Sequence, residues 1–217
     1  MNGIYFNDIH SYYDLDLILS KVDIPPAKPK TTYIDIPGAD GSLDLTEAHG
    51  EVKFSDRECT FTFTVIPDET SLTAWEEKKT EVSNLLNGKV FKITLDKDDE
   101  YYYQGRCEVN EYLSNKTLRQ IVVIATVNPY KFKQNITKIT VELTDTQKTV
   151  YCNSGRKSVS PLLECSNNNT VIVFNTATFN LSAGTHKILD IRFVEGTNIL
   201  TVSGKGTLSV SYQEAEL

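Results

Sequence analysis

The chain has 217 residues with a formal net charge of −7; 40% are hydrophobic and 24% charged, without an excess of Pro or Gly. That balance predicts one large or two small globular domains with workable cores and argues against disorder. The negative charge argues against tight binding to DNA or anionic membranes, which need basic patches, and no stretch approaches the ~20 apolar residues of a membrane span.

Asp8, Asp14 and Asp16 near the start are incompatible with a signal peptide, so synthesis in a cytoplasm is expected. Four well-separated cysteines, Cys59, Cys107, Cys152 and Cys165, form no Cys-x-x-Cys pair and are expected as reduced thiols. Gly3-Ile-Tyr-Phe6 reads as a short strand, Asn7-Asp8 as a turn. Tyr12, Tyr13, Leu15, Leu17 and Leu19 form a second, roughly alternating run. The Pro25-Pro26-Ala27-Lys28-Pro29-Lys30 stretch is extended and poor in donors, an arm that links sheet elements or lies along a neighbour.

Next comes Tyr33 to Glu47, a run of backbone instructions. Pro37 fixes its own φ and extends Ile36, while Gly38 and Gly41 with Asp40 supply a tight turn. In Glu58–Val65, Cys59, Phe61, Phe63 and Val65 alternate with Thr60, Thr62 and Thr64, the period of a half-buried antiparallel strand. One helix is predicted over 67–88. Leu72, Trp75, Val82, Leu85 and Leu86 form its apolar stripe, with Trp75 as the core anchor. Thr73 and Glu76 have capping-box spacing, Thr70 or Ser71 could cap one turn earlier, and Asn87-Gly88 closes the helix. Strands are predicted at Lys89–Leu95, Glu100–Val109, Glu108–Leu113 and Leu118–Val127, with a turn at Ser114-Asn115-Lys116. Ile121–Val127 is apolar almost throughout, as a central strand covered on both faces requires.

From Ile136 onward eight short runs follow: Val141–Leu143, Lys148–Cys152, Ser160–Glu164, Thr170–Phe174, Thr178–Leu181, His186–Phe193, Asn198–Ser203 and Thr207–Tyr212. Their spacing predicts a two-sheet sandwich, with Glu195-Gly196 and Gly204-Lys205-Gly206 as hairpin loops.

Ile36-Pro-Gly-Ala-Asp-Gly-Ser-Leu-Asp-Leu-Thr-Glu47, followed by Arg57 and the Phe61-Thr-Phe63 strand, resembles the distal tail protein family of long-tailed bacteriophages and prophages. The resemblance is strongest over residues 1–132. It implies a mainly β chain: an N-terminal, tail-tube-like β-sandwich with one packed α-helix over residues 1–134, closed by Asn128-Pro-Tyr-Lys-Phe132, and a galectin-like β-sandwich over residues 135–217. It further implies a virion structural protein of the tail tip, six copies closing into a ring whose lumen continues the tail tube. The partners so implied are further copies of the chain, the tail-tube protein, the tape-measure protein, the tail-associated hub protein and the receptor-binding proteins. Since a closed ring needs two different complementary surfaces on each subunit, the expected ring-interface residues are Pro25, Pro26, Pro29, Ile36, Pro37, Gly38, Asp40, Gly41, Leu43 and Asp44.

A search for chemistry yields little. His10, His49 and His186 stand apart in sequence, and no nucleophile elbow or metal-ligand spacing occurs. Asp96, Asp98 and Glu100 alternate as in a calcium loop but lack its glycine and closing Glu, so they read as a solvated hairpin tip. Asp40, Asp44 and Glu47 are expected to cap turns and pair with Arg57 or a neighbouring subunit. No cofactor, metal or catalytic residue is expected. A carbohydrate-binding sandwich, with Tyr151, Phe174, Phe179, Phe193 or Tyr212 as sugar platforms, is the competing reading.

Overall fold

Alternation organises the first half of the chain: Arg57, Cys59, Phe61 and Phe63 are buried, while Thr60, Thr62 and Thr64 lie half-buried on the opposite face. The computed structural model describes residues 3–48, 50–65, 72–114 and 118–217. They divide into two compact units, Met1–Lys131 and Phe132–Leu217.

In the first unit the strands are β1 (Ile4–Phe6), β2 (Ile9–His10), β3 (Leu17–Asp23), β4 (Tyr33–Asp35), β5 (Ser42–Asp44) and β6 (Arg57–Val65). Helix α1 (Leu72–Leu86), β7 (Val90–Leu95), β8 (Asp98–Ser114) and β9 (Arg119–Val127) follow. Antiparallel pairing gives the order β2-β1-β7-β8-β9-β6-β3. Four strand steps separate β1 from β6, about 19 Å on a flat sheet. The Phe6 and Phe63 rings are nevertheless 6.1 Å apart. The sheet therefore curls over on itself, and its two halves face each other across one core of Ile4, Phe6, Leu17, Phe61, Phe63, Ile93 and Ile121.

Strand β9, the apolar run, lies between β8 and β6 with Ile121, Val122, Val123, Ala125 and Val127 buried. Helix α1 adds Trp75, Val82 and Leu86 to the core. Leu72, counted in the stripe from sequence, is 77% exposed. Asn87 N–H donates to the Ser83 carbonyl at 3.0 Å and Gly88 takes φ 74°, the left-handed end that Asn-Gly favours. Thr73 lies within α1 and does not cap it. Thr70, Ser71, His49 and the Asn115-Lys116 turn lie outside the described residues.

Two local expectations are corrected. Glu100–Val109 and Glu108–Leu113 are one strand, β8, because a bulge between Val109 and Glu111 shifts the polar pattern by one residue and mimics a strand end. The run from Tyr12 becomes strand only at Leu17. Before it, His10 Nδ1 accepts the Tyr12 and Tyr13 amides at 3.1 and 3.2 Å and Asp16 turns the chain at φ 52°.

The second unit contains β11 (Thr137–Thr144), β12 (Lys148–Ser154), β13 (Leu162–Cys165), β14 (Thr170–Phe174), β15 (Ala177–Leu181), β16 (Gly184–Lys187), β17 (Gly196–Ser203) and β18 (Lys205–Tyr212). The short β10 (Lys131–Lys133) precedes them and pairs with β19 (Ala215–Glu216). Two four-stranded sheets, β11-β18-β13-β16 and β12-β17-β14-β15, enclose a core including Leu163, Ile172, Phe193, Leu200, Leu208 and Val210. Neither Glu195-Gly196 nor Gly204–Gly206 is a hairpin loop: β17 bonds β12 and β14 while β16 and β18 belong to the other sheet, so both connections cross between sheets. A two-residue hairpin does join β14 to β15 through Asn175-Thr176, with Asn175 at φ 54°. The expected His186–Phe193 strand stops at Lys187; Phe193 is held by a bridge to Val159, and Leu189 between them is 76% exposed.

Candidate assembly surface

The most distinctive local structure is the segment between β3 and β6. Among the described residues, strands β4 and β5 pair only with each other, with Tyr33 opposite Asp44, Ile34 opposite Leu43 and Asp35 opposite Ser42. Ser42 Oγ donates to the Asp35 carboxylate at 2.5 Å, and Ala39 N–H donates to the Ile36 carbonyl at 3.1 Å. Gly38 and Gly41, at φ 83° and 75°, turn the tip in open space, a conformation that costs other residues strain. Asp44 accepts the Thr46 amide at 2.9 Å; hydrogen bonds from the Thr46 side chain and amide hold its carboxyl below the usual range.

Every residue of the hairpin from Tyr33 to Asp44 is exposed, including Pro37 and Asp40. Tyr33 is 58% exposed, and Ile34, Ile36 and Leu43 are each 48% exposed. An isolated two-stranded hairpin is marginally stable in water, and apolar side chains on both strands gain by being covered. Tyr33 and Ile34 were missed by sequence reasoning. Their position across from Asp44 and Leu43 follows once the Gly38–Gly41 turn is placed.

The proline arm leads into this hairpin. Pro25 is half-buried, and Pro26 and Pro29 are exposed. Lys30 N–H donates to the Lys53 carbonyl at 2.7 Å and Ser55 N–H to the Lys28 carbonyl at 2.9 Å, with Pro29 opposite Phe54. Pro29, which has no N–H, therefore lies between two donors that close the ladder on either side. The structure thus places all the sequence-selected surface residues in one continuous stretch, grouped as an arm and a hairpin.

Arg57 is not a partner of Asp40, Asp44 or Glu47. It shares the inward parity of Cys59 and Phe61, so its guanidinium is buried, donates to the Pro129 carbonyl and lies 5.4 Å from the Tyr103 ring centroid. That parity was legible in the alternation.

Groups with catalytic potential are occupied structurally. Buried His10 places Nε2 3.3 Å from both Asp96 carboxylate oxygens, an arrangement resembling half of a hydrolase triad. Its Nδ1 accepts two backbone amides, so the proton resides on Nε2 and donates to Asp96, and no ring nitrogen is left to act as a base. Asp96 also accepts the Gly3 amide at 2.7 Å, and Asp98 pairs with Lys131 at 2.6 Å, so the acidic β7–β8 tip is tied into the fold. Burial pushes the thiols up, Cys59 and Cys152 to about 11 and Cys107 to about 12, the opposite of nucleophile activation. Among the described residues no group of three or more His, Cys, Asp or Glu could hold a metal ion. Of the sugar-platform candidates, Phe174, Phe193 and Tyr212 are core residues and Phe179 packs partly against them, leaving Tyr151 as the exposed one.

No protein-family model and no curated protein matches the sequence. The crystal structure of the phage SPP1 Dit (gp 19.1) protein does match, with a TM-score of 0.72 over 98% of this chain and 99% of that chain at 13% identity. That protein is described as a paradigm of the hub adsorption apparatus in Gram-positive infecting phages. The chain has the distal tail protein fold. Both units of this Dit-like fold fall within the matched length, so the helix-bearing curled sheet and the second sandwich are both part of the likeness.

Proposed function

We propose that the chain is a structural component of a phage tail tip or baseplate. Six copies close into a ring that links the tail tube to the host-adhesion device and leaves a lumen for DNA. The observation that carries this reading is the match to the SPP1 Dit fold over nearly the full length of both chains. It is supported by the unsupported, apolar hairpin of β4 and β5, a surface suited to permanent cover. The N-terminal region, residues 1–134, forms the ring. Its arm (Pro25, Pro26, Pro29) and hairpin loop (Ile36, Pro37, Gly38, Asp40, Gly41, Leu43, Asp44) reach the neighbouring subunit. The sandwich of residues 135–217 lies at the periphery, where six copies dock adhesion proteins by avidity.

The ring joins the tail-tube, tape-measure, tail-associated hub and receptor-binding proteins at the virion tail tip, after synthesis in the host cytoplasm. An acidic subunit repels DNA weakly, which suits a conduit. Native mass spectrometry and electron microscopy of concentrated protein test the proposal. Closed six-fold rings of the 24.4 kDa chain are expected. A monomer at all concentrations that binds a cell-wall glycan would replace this reading with that of a carbohydrate-binding module.

A further inference from the structure

A closed ring needs a receptor surface as well as a donor, and the first unit contains an open groove of about 650 Å³ beside α1. Ile9, Leu15 and Leu85 give it an apolar floor, and Asp8, Asp14 and Glu81 an acidic rim. Lys89 also lines it and keeps its positive charge while donating to the Asn84 carbonyl at 2.7 Å, and Glu81 is offset by Lys78 at 2.7 Å. Among the described residues no cation pairs with Asp8 or Asp14, so these two carboxylates outweigh the single charge of Lys89 and leave the groove net negative.

We infer that this groove receives the proline–lysine arm of a second copy of the chain. The inference rests on the ring reading above. Charge selects the occupant. The hairpin carries Asp35, Asp40 and Asp44 and would be repelled, whereas the arm presents exposed Lys28 and Lys30 on either side of Pro29, with Pro26 also exposed. A pre-extended proline segment also enters an apolar groove with little ordering cost.

Geometry makes the contact intermolecular. Leu15, in the groove, lies two residues before the start of β3, and the arm follows its far end. The seven residues of β3 span about 20 Å. Beyond that end the backbone bonds to Lys53 and Ser55 pin Lys28 and Lys30 in place, so the arm cannot fold back onto its own groove. Donor and receptor at opposite ends of one strand make a head-to-tail contact, the kind that a ring repeats.

The test is a charge exchange on the full chain, read as the association constant by sedimentation velocity. Groove variant Asp8→Lys with Asp14→Asn, which keeps an acceptor for the His10 amide, is expected to assemble roughly tenfold more weakly at low salt. Arm variant Lys28→Glu with Lys30→Glu is expected to do the same, and the chain carrying both pairs of changes is expected to recover assembly. Circular dichroism confirms that each variant folds. Assembly indifferent to both sets, or combined changes that add rather than compensate, would overturn this contact while leaving the ring intact. A wild-type chain that never assembles would overturn the ring itself and the contact with it.

Discussion

Replacing Tyr33, Ile34, Ile36 and Leu43 together by Ser tests whether the hairpin is an assembly element. All four side chains are about half exposed in the subunit. Complete burial of such a side chain contributes ~1.5–3 kcal/mol, so covering the exposed half offers about 1 kcal/mol each, or about 4 kcal/mol per interface. Ordering the hairpin against a neighbour offsets part of this, leaving about 3 kcal/mol, roughly a 150-fold loss in association constant at each contact. Sedimentation velocity over a concentration series reads that shift directly. The subunit itself should be little affected, because among the described residues β4 and β5 pair with no other strand, and its urea midpoint by circular dichroism should stay near the wild-type value. Rings that assemble within twofold of wild type would refute the argument, since side chains that remain in water contribute nothing to the contact.

Trp75→Ala should cost ~3–5 kcal/mol in urea denaturation. It removes a buried ring that meets Tyr112 edge-on at 6.2 Å and lies beneath Lys79 and Arg119. A loss under ~1 kcal/mol would mean the helix is held elsewhere. At Gly3 an added Cβ would overlap the His10 ring and lie 3.1 Å from the Asp96 carboxylate, so Gly3→Ala should break the His10–Asp96 bond and lower stability by ~1–3 kcal/mol. An unchanged melting temperature would count against that bond's structural role. Burial raises Cys59, Cys152 and Tyr212 to about 11, 11 and 12, and Cys107 to about 12, all above their unfolded values. Their neutral forms are therefore favoured in the fold. Stability from these groups is fully present below pH 9 and is lost as pH rises through 11 to 12, which urea midpoints measured from pH 7 to 11 will show. For the same reason all four thiols should resist a thiol reagent at pH 8 until the chain unfolds; rapid labelling of the folded protein would contradict their burial.

Period-two alternation made most of the fold legible. Glu58–Val65 and Ile121–Val127 each announced a strand, and each of the eight short runs after residue 136 overlaps one of the eight strands of the two-sheet sandwich. Alternation failed where local events reset it. A bulge at Asn110 made one long strand look like two, and the His10–Asp16 turn counterfeited a strand through Tyr12, Tyr13 and Leu15. Arg57 was misplaced although its parity was visible, because a buried cation is an improbable reading until a carbonyl and an aromatic ring are known to await it.

The sequence by itself determined the strand-forming stretches, the single amphipathic helix, its Asn-Gly end and the Gly38–Gly41 turn, since each depends on steric limits and side-chain periods within a few residues. Tertiary structure alone decided which sheet each strand joined, and hence that Gly204–Gly206 crosses between layers. It alone brought Asp96 to His10 across 86 positions and left β4 and β5 without a third strand. Those outcomes depend on which distant surfaces bury each other, and nonlocal burial leaves no period in the chain to read.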